Sequence, residues 1–404
     1  MRISKLLYIG GAIISHAAVA SAWGAAGHEI VATIAQMYIH PNVLPTICDI
    51  LNYTSPDPAQ PQCHLAPIAA WADRIRYSMR WSASLHYIGA RGDHPSDLCL
   101  FPGKDGWEGK PDQNVLAAID NTTGLLRDWA DHAESDETAN EALKFLVHFL
   151  GDMHMPLHLT GRDRGGNSDK VLFDGRKSNL HSVWDNLLIA KALRTIPRNY
   201  TTPLPVPEVE HNLRGAIYDP YIRRIMWQGV LGKWEDELED WVTCWGRDSI
   251  DVAPGQQQVL GSSNDKTTME ESCQFYWASP IHTLNCDIIW PKALDEPPYA
   301  SGRLVERDEH QEHADHECSA MSIEDALRLV GDEASVRGGR RKDDPEYLEL
   351  DTPEYAGVIY EQWIIEKLLA QAGLRLAVIL NTLFADVDAI AEIRARTHLL
   401  SGSA

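Results

Sequence analysis

The most informative stretch of this sequence is HFLGDMHMPLH, which runs from His148 to His158. His148 and Asp152 are four residues apart, so both side chains lie on one face if the segment is helical. Pro156 should end that helix, because proline lacks a backbone N–H and clashes with the preceding turn. His158 is then free to turn back toward the same point. A converging imidazole nitrogen and carboxylate oxygen are typical ligands of zinc.

The same kind of pair occurs again in NLHSVWD, where His181 and Asp185 are also four residues apart. The motifs WAD and LHY contribute Asp73 and His86, and WGAAGH ends at His28. A single His or Asp on a helix is usually a surface or core residue, but two repeated pairs favour metal binding. Because five histidines and three aspartates in these motifs exceed what one ion uses, we expect a multinuclear metal site.

Helical periodicity dominates the chain and predicts an all-α fold, a single large multi-helix domain. The one clear strand candidate is a small β-hairpin at Lys170–Asp174, with a turn at Gly175. The pattern from Thr138 to Glu141 predicts a capping box at the start of one helix. The apolar spacing predicts helices over 28–39, 67–80, 112–133, 138–152, 180–194, 207–243, 268–289 and 355–383.

Composition excludes several classes of protein. The 404 residues are 44% hydrophobic and 23% charged, which excludes a mostly disordered chain. Beyond the first 22 residues there is no uninterrupted apolar run of roughly 18, so we expect no multi-span membrane protein and no membrane partner. A formal net charge of -22 argues against passive binding of nucleic acid, but not against an enzyme whose site carries metal cations.

Residues 1–22 predict an export signal. The positive Arg2 and Lys5 precede an apolar stretch, and the ASA sequence that follows it fits the small-residue cleavage rule. We therefore expect a secreted protein whose mature chain starts at Trp23. The freed amine and the carbonyl oxygen of Trp23 could then chelate a metal ion that His28 also reaches.

Seven cysteines in an exported chain predict disulfides, with one thiol left over. Three sequons start at Asn52, Asn121 and Asn199, which is typical of a secreted glycoprotein. Residues 294–352 are rich in charge, glycine and proline, so we predict that they form an acidic, flexible insertion.

Five motifs occur in order along the chain: WGxxGH, WAD, HFxGDxxxPLH, GGN and NLHxxWD. With this set and spacing the chain resembles the fungal and plant single-strand-specific zinc nucleases, also called 3'-nucleotidase/nucleases. Their helical fold is of the type found in bacterial zinc phospholipases C. The resemblance covers about 23–290 and 355–383. It implies a zinc nuclease domain formed by residues 23–293 and 353–404.

The resemblance also implies three zinc ions, and every ligand position of the family pattern is filled. One ion would be held by Asp73, His86, His148 and Asp152; a second by the amine and carbonyl of Trp23, by His28 and by Asp152 as a bridge; and a third by His158, His181 and Asp185.

The activity that the resemblance implies is hydrolysis of single-stranded DNA and RNA to 5'-phosphate products, with 3'-nucleotidase activity. Hydroxide on the zinc pair would attack phosphorus, and the third zinc would stabilise the 3' leaving oxygen. Asp73 and Asp152 would take part through the zinc pair. Arg76 would contact the phosphate, and Asn186 would orient the scissile region.

Other family positions concern the substrate and the disulfides. Tyr87 stands at the base-stacking position, and Asn167 of the GGN motif is assigned to substrate binding. Gly89 stands where relatives often have a carboxylate that binds the base. Cys99 and Cys286 would form the family's long-range disulfide, and Cys48 with Cys63 is a further candidate pair.

Two other interpretations stay open. A phospholipase C-like phosphodiesterase would hydrolyse phosphatidylcholine instead of single-stranded DNA, although the close spacing of Trp23 and His28 favours the nuclease. A non-catalytic secreted zinc-binding protein would bind zinc without turnover. Nothing in the sequence indicates an oligomer, so we expect a monomer.

Overall fold

The computed structural model describes residues 23–102, 105–110, 112–197, 200–243, 272–302 and 346–385. Within these ranges the chain is mainly helical and has one small sheet, so the predicted all-α domain with a hairpin is confirmed. The predicted signal peptide, the sequon at Asn199 and the middle of the predicted insertion lie outside the described residues.

A set of helices packs around a buried apolar core. In α5 the apolar residues Leu143, Leu146 and Leu150 recur at a spacing of three to four and are buried, as expected for the inner face of a helix. The main helices are α1 (Ala25–Tyr38), α2 (Leu44–Leu51), α3 (Trp71–Ile75), α4 (Val115–Ala130), α5 (Asp136–Met153), α6 (Leu188–Thr195), α7 (Asp219–Arg224), α8 (Cys273–Leu284) and α9 (Ile364–Phe384).

The first and last of these helices pack side by side, and both contact α5. Their close approach depends on Gly373, where a Cβ atom would lie 2.6 Å from a methyl group of Ile34. Asn381 fixes the end of α1, because it accepts a hydrogen bond from the N–H of His40 (2.8 Å) and donates one to the carbonyl of Tyr38 (2.9 Å). By length and composition α9 could cross a membrane, but 67% of its apolar stretch is buried, which fits a core helix.

The predicted hairpin is confirmed. Strands β1 (Lys170–Phe173) and β2 (Arg176–Asn179) are antiparallel, and Gly175 adopts a positive φ of 70° in the turn between them. A third strand, β3 (Leu348–Glu349), pairs with β1 in parallel and was not expected, because it falls inside the predicted insertion. At the other end of that segment, Asp295 forms an ion pair with Arg162. The described ends of 294–352 are thus attached to the helical domain.

Three predicted helices are interrupted. The stretch 67–80 contains only α3 and a short 3-10 turn, and 207–243 is divided near Gly215, which adopts a positive φ of 73°. In 355–383 the break falls at Trp363, which is left-handed with φ 59° and precedes α9. Apolar spacing does not reveal such breaks, because the residues on either side keep the same helical pattern.

The predicted capping box is wrong by three residues. Helix α5 begins at Asp136, and the hydroxyl of Ser135 accepts a hydrogen bond from the N–H of Thr138 at 3.2 Å. Thr138 is therefore the third residue of the helix instead of its cap. Ser135 satisfies one of the backbone donors that every helix start leaves unpaired.

Both candidate disulfides are present, Cys48–Cys63 and Cys99–Cys286, and Cys273 is disulfide-bonded as well. The Cys99–Cys286 bond connects a loop before α4 to the helical turn that follows α8. Of the predicted glycosylation sites, Asn52 and Asn121 are exposed.

Candidate metal centre

Helix α5 carries the central pair of the site. His148 and Asp152 are fully buried, and the His148 Nε2 atom lies 3.3 Å from Asp152 Oδ2. Asp73 from α3 places its Oδ1 atom 3.5 Å from the same nitrogen. His86 ends a 3-10 helix and places its Nδ1 atom 2.9 Å from Asp152 Oδ2. The structure thus brings together the four residues that the family resemblance implies as ligands of one ion.

His28 reaches the centre from α1 on the other side of Asp152. Its ring stacks on that of His148, with centroids 3.9 Å apart, and its Nε2 atom lies 3.5 Å from Asp152 Oδ1. Asp152 therefore presents one oxygen to His86 and His148 and the other to His28. This is the geometry of a carboxylate that could bridge two ions.

A second group of candidate ligands lies next to these residues, and its His158 Nδ1 atom is 3.7 Å from Asp152 Oδ1. The rings of His158 and His181 are stacked with centroids 5.1 Å apart, and His181 Nε2 lies 3.2 Å from Asp185 Oδ2. The donor atoms of these three residues all lie within 4.8 Å of one another. All three side chains are buried. They match the third predicted set.

Backbone carbonyls orient three of the histidines. The Nδ1 atom of His148 donates to the carbonyl of Ala69 (2.7 Å), and that of His158 donates to the carbonyl of His86 (2.6 Å). His181 does the same with Gly165 at 2.7 Å. Because a carbonyl only accepts, each ring carries a proton on Nδ1, which leaves Nε2 as the atom that can bind a metal once it is unprotonated.

The polar atoms of the centre are costly to bury without a cation. Within the described part of the chain, five buried atoms of the centre have no hydrogen-bond partner. They are both ring nitrogens of His28, both carboxylate oxygens of Asp185, and Asp152 Oδ1. An unsatisfied buried polar group costs about 1–3 kcal/mol. Divalent cations would satisfy these nitrogen and oxygen atoms, so the donor set fits zinc.

Burial and neighbouring charges shift the ionisation of these groups. Burial, together with the nearby His148, lowers the pKa of His28 to about 4. Burial acts in the same direction on His148, but the charges of Asp152 and Asp73 outweigh it and raise the pKa of His148 to about 9. Burial raises the pKa of Asp185 well above its usual range. Metal binding at Asp185 would therefore have to displace a proton.

The glycines of the motifs make room for the ligands. A Cβ atom at Gly151 would overlap the His28 ring, and one at Gly24 would overlap the amide of Asn186. At Gly27 it would lie 2.7 Å from the Cβ of the fully buried Trp23. Gly151 thus permits the close packing of α1 on α5, whereas Gly24 and Gly27 make room for Asn186 and for Trp23.

The residues predicted to contact the substrate differ in their surroundings. Arg76 follows α3, is 6% exposed, and lies over the Tyr77 ring at 5.1 Å. Asn186 is buried beside Asp185, and its amide nitrogen has no hydrogen-bond partner among the described residues. Asn167, however, donates its amide to the carbonyl of Arg164 at 2.8 Å, a local structural contact.

One acidic residue near the base-stacking position was not predicted. Tyr87 directly follows His86, and the carboxylate of Glu108 lies over the backbone of Gly89, where a Cβ atom would be 3.1 Å from Oε2. The N–H of Glu108 donates to the carbonyl of Gly89 at 2.8 Å. Burial raises the pKa of Glu108, and the charge of Asp93 adds to the effect. No sequence signal marks Glu108, because only a short bridge between Ala90 and Trp107 brings it there.

His154, inside the central motif, is not part of the centre. Its Nδ1 atom donates to the carbonyl of Leu150 at 2.7 Å, and its Nε2 atom accepts from Arg375 at 2.7 Å. This contact joins α9 to the end of α5.

Comparison with known proteins finds relatives that are named as nucleases. Nuclease P1 of Penicillium citrinum is 40% identical over 174 residues, which cover 42% of this chain and 60% of that protein. Nuclease S1 of Aspergillus oryzae is 34% identical over 45% of this chain and 59% of its own. Endonuclease 1 of Arabidopsis thaliana is 31% identical over 59% of this chain and 72% of its own. The sequence model of the S1/P1 nuclease family matches residues 23–294, which include every candidate ligand, so the chain belongs to the S1/P1 nuclease family.

Proposed function

We propose that this protein is a zinc-dependent nuclease that hydrolyses single-stranded DNA and RNA to 5'-phosphate products and also acts as a 3'-nucleotidase. The observation that carries the proposal is the convergence of buried His and Asp ligands around the two oxygens of Asp152. The relatives named as nucleases agree with it.

Three zinc ions would occupy the centre, and when bound they would polarise the phosphate and lower the pKa of water. The free amine of Trp23 would complete the ligands around His28 once residues 1–22 are removed. The proposed ligand sets are Asp73, His86, His148 and Asp152; Trp23, His28 and Asp152; and His158, His181 and Asp185.

The other residues would bind and orient the substrate. The guanidinium of Arg76 would neutralise the non-bridging phosphate oxygens, and the unpartnered amide of Asn186 would donate to the substrate near Asp185. An unpaired base would stack on Tyr87. A base inside a duplex offers no free face for that contact, so single strands are the preferred substrates.

Glu108 would take the place of the missing side chain at Gly89 and accept a hydrogen bond from the base. Glu108→Gln should then change the relative cleavage rates of poly(A), poly(U), poly(C) and poly(G) while leaving zinc content unchanged. Equal changes on all four polymers would contradict this role.

We expect the protein to be secreted as a monomer that carries N-linked glycans at Asn52, Asn121 or Asn199. Mass spectrometry of the material secreted by a eukaryotic host would test this, with Trp23 as the expected first residue.

The direct test of the function is digestion of single-stranded DNA by protein that starts at Trp23. We expect cleavage to 5'-mononucleotides that stops with a chelator and returns with zinc. Hydrolysis of phosphatidylcholine without DNA cleavage would point instead to a phospholipase C-like enzyme. Bound zinc without turnover of either substrate would indicate a non-catalytic zinc-binding protein.

A further inference from the structure

A group of aromatic and cationic residues lies on the surface beside the metal centre: Trp71, Arg80, Trp81 and Lys144, here called the stacking patch. Trp81 is 61% exposed, which is unusual for so large an apolar side chain. Its ring rests against the buried Phe145, with centroids 5.7 Å apart.

Aromatic contacts continue from this surface to a metal ligand. Phe145 stacks on Phe149 with centroids 5.2 Å apart, and Phe149 meets the edge of His86 at the same distance. Trp81 is therefore supported by rigid rings that end at the candidate centre. Its exposed face is held in place by this packing.

Two cations belong to the same patch, one over Trp71 and one adjacent in sequence to Trp81. The ammonium of Lys144 lies 5.1 Å from the centroid of Trp71, and Arg80 is exposed next to Trp81. Within the described ranges, neither cation forms an ion pair with a carboxylate. In a chain with a net charge of -22, unpaired cations beside an exposed aromatic ring are a local exception that suits a polyanion.

The patch lies on the same three elements as the candidate ligands around Asp152. Helix α3 carries Trp71 and Asp73, and helix α5 carries Lys144 one turn before His148. The 3-10 helix Arg80–His86 carries Trp81 at one end and a ligand at the other. The position of the patch relative to the candidate ligands is thus fixed by secondary structure.

We propose that the stacking patch binds single-stranded nucleic acid next to the scissile phosphodiester. An unpaired base would stack on Trp81, and Arg80 and Lys144 would contact the flanking phosphates. This inference rests on the proposed nuclease function and extends it from one phosphodiester to a longer strand.

The test compares a long and a short substrate on the zinc-loaded protein. For Trp81→Ala we expect the KM for oligothymidylate to rise about tenfold, equal to about 1.4 kcal/mol, with kcat unchanged. Hydrolysis of 3'-thymidine monophosphate should not change, because a mononucleotide does not reach the patch. Trp81→Tyr should keep most of the affinity, since it retains a stacking ring.

Trp227→Ala is the matched control, because Trp227 is 39% exposed on a different element, Ile225–Lys233. This variant should hydrolyse both substrates with the KM and kcat of the wild type. A parallel measurement uses the fluorescence anisotropy of a labelled phosphorothioate oligothymidylate, which reports binding without turnover. Lys144→Ala should weaken the salt dependence of that binding, with a slope smaller by about 0.7.

The outcomes separate the two proposals. Equal KM and equal binding for wild type and Trp81→Ala, or an equal loss in Trp227→Ala, would overturn the stacking patch. So would a wild-type protein that does not bind the strand. A wild type that binds the strand through Trp81 but cleaves no phosphodiester would refute the nuclease and leave the patch standing.

Discussion

Asp152 presents its two carboxylate oxygens to different histidines. One oxygen faces His86 and His148, and the other faces His28 from α1. Two of the proposed ligand sets therefore share this one side chain.

We therefore expect Asp152→Ala to lose two of the three proposed zinc ions and to lower nuclease activity at least about a hundredfold, since changes even around metal ligands cost 10–100-fold. Zinc content by atomic emission and kcat/KM on single-stranded DNA would measure both. Asp120→Ala, at an exposed position on α4, should change neither. Retention of full zinc content by Asp152→Ala would refute the bridging role.

If Asp185 binds a metal ion as proposed, its ionisation couples metal binding to the stability of the fold. Its pKa is raised from 3.8 by burial and then by the charges of Asp73 and Asp152. Without metal, the folded state keeps a proton that the unfolded chain releases at lower pH. Stability of the metal-free protein must therefore fall as pH rises from the ordinary pKa to the raised one.

Asp185→Asn removes this ionisation, so at neutral pH the chelator-treated variant should unfold about 2–6 °C above the chelator-treated wild type. Zinc should raise the Tm of the wild type more than that of the variant, because one ligand has been lost. Thermal scans with and without zinc would measure both effects, with Asp128→Asn at an exposed position on α4 as the control. A variant that is less stable than wild type without metal would contradict this reading.

At the scale of elements, the centre depends on how closely α1 approaches α5. Gly151 lies between the two α5 ligands, and a Cβ there would overlap the His28 ring. Gly124 lies inside the neighbouring α4, where a Cβ would meet nothing within 4 Å. The two glycines are a matched pair in similar helices with opposite surroundings.

We expect Gly151→Ala to displace His28 and to lower both zinc content and activity. Gly124→Ala should instead stabilise the protein by about 0.5–1 kcal/mol, because alanine favours the helix and nothing is in its way. Urea denaturation and zinc analysis of both variants would test the pair. Normal activity in Gly151→Ala would show that α1 can shift without harm to the centre.

Helix existence was easier to predict than helix ends. In α1, α5 and α9 the regularly spaced apolar residues form the buried face of each helix. These three helices could therefore be predicted from the sequence. The N-cap of α5 at Ser135 and the break at Trp363 depend on single backbone conformations, which leave no periodic trace. Strand β3 is too short for its alternation to be visible, and it exists only because β1 offers a partner.

At the scale of the whole molecule, the candidate ligands span 23–185 in sequence and meet in one buried region. The His–Asp pairs four residues apart could be read directly, and the resemblance of the motifs assigned the remaining ligands. Glu108 and the stacking patch could not be predicted, because they depend on which loops and rings meet in three dimensions.

The proposed start of the mature chain at Trp23 can be tested at this scale. Gly24 donates its N–H to the carbonyl of Asp185 at 2.8 Å, which anchors the segment that begins at Trp23. We expect one extra residue before Trp23 to block the amine and to reduce zinc content by one ion, with activity lowered accordingly. An extra residue after Ala404 is the control and should have no effect. Full zinc content in the N-terminally extended protein would exclude the amine as a ligand.

The packing of α1 against α9 also bears on how the protein is made. His28 is held in place by a helix whose largest neighbour is encoded near the opposite end of the chain. While the ribosome is still adding residues, α1 lacks that neighbour, and Gly373 and Asn381 have not yet reached it. The packing that fixes α1, and with it His28, is therefore completed only late in synthesis, when α9 has been made and can fold against it.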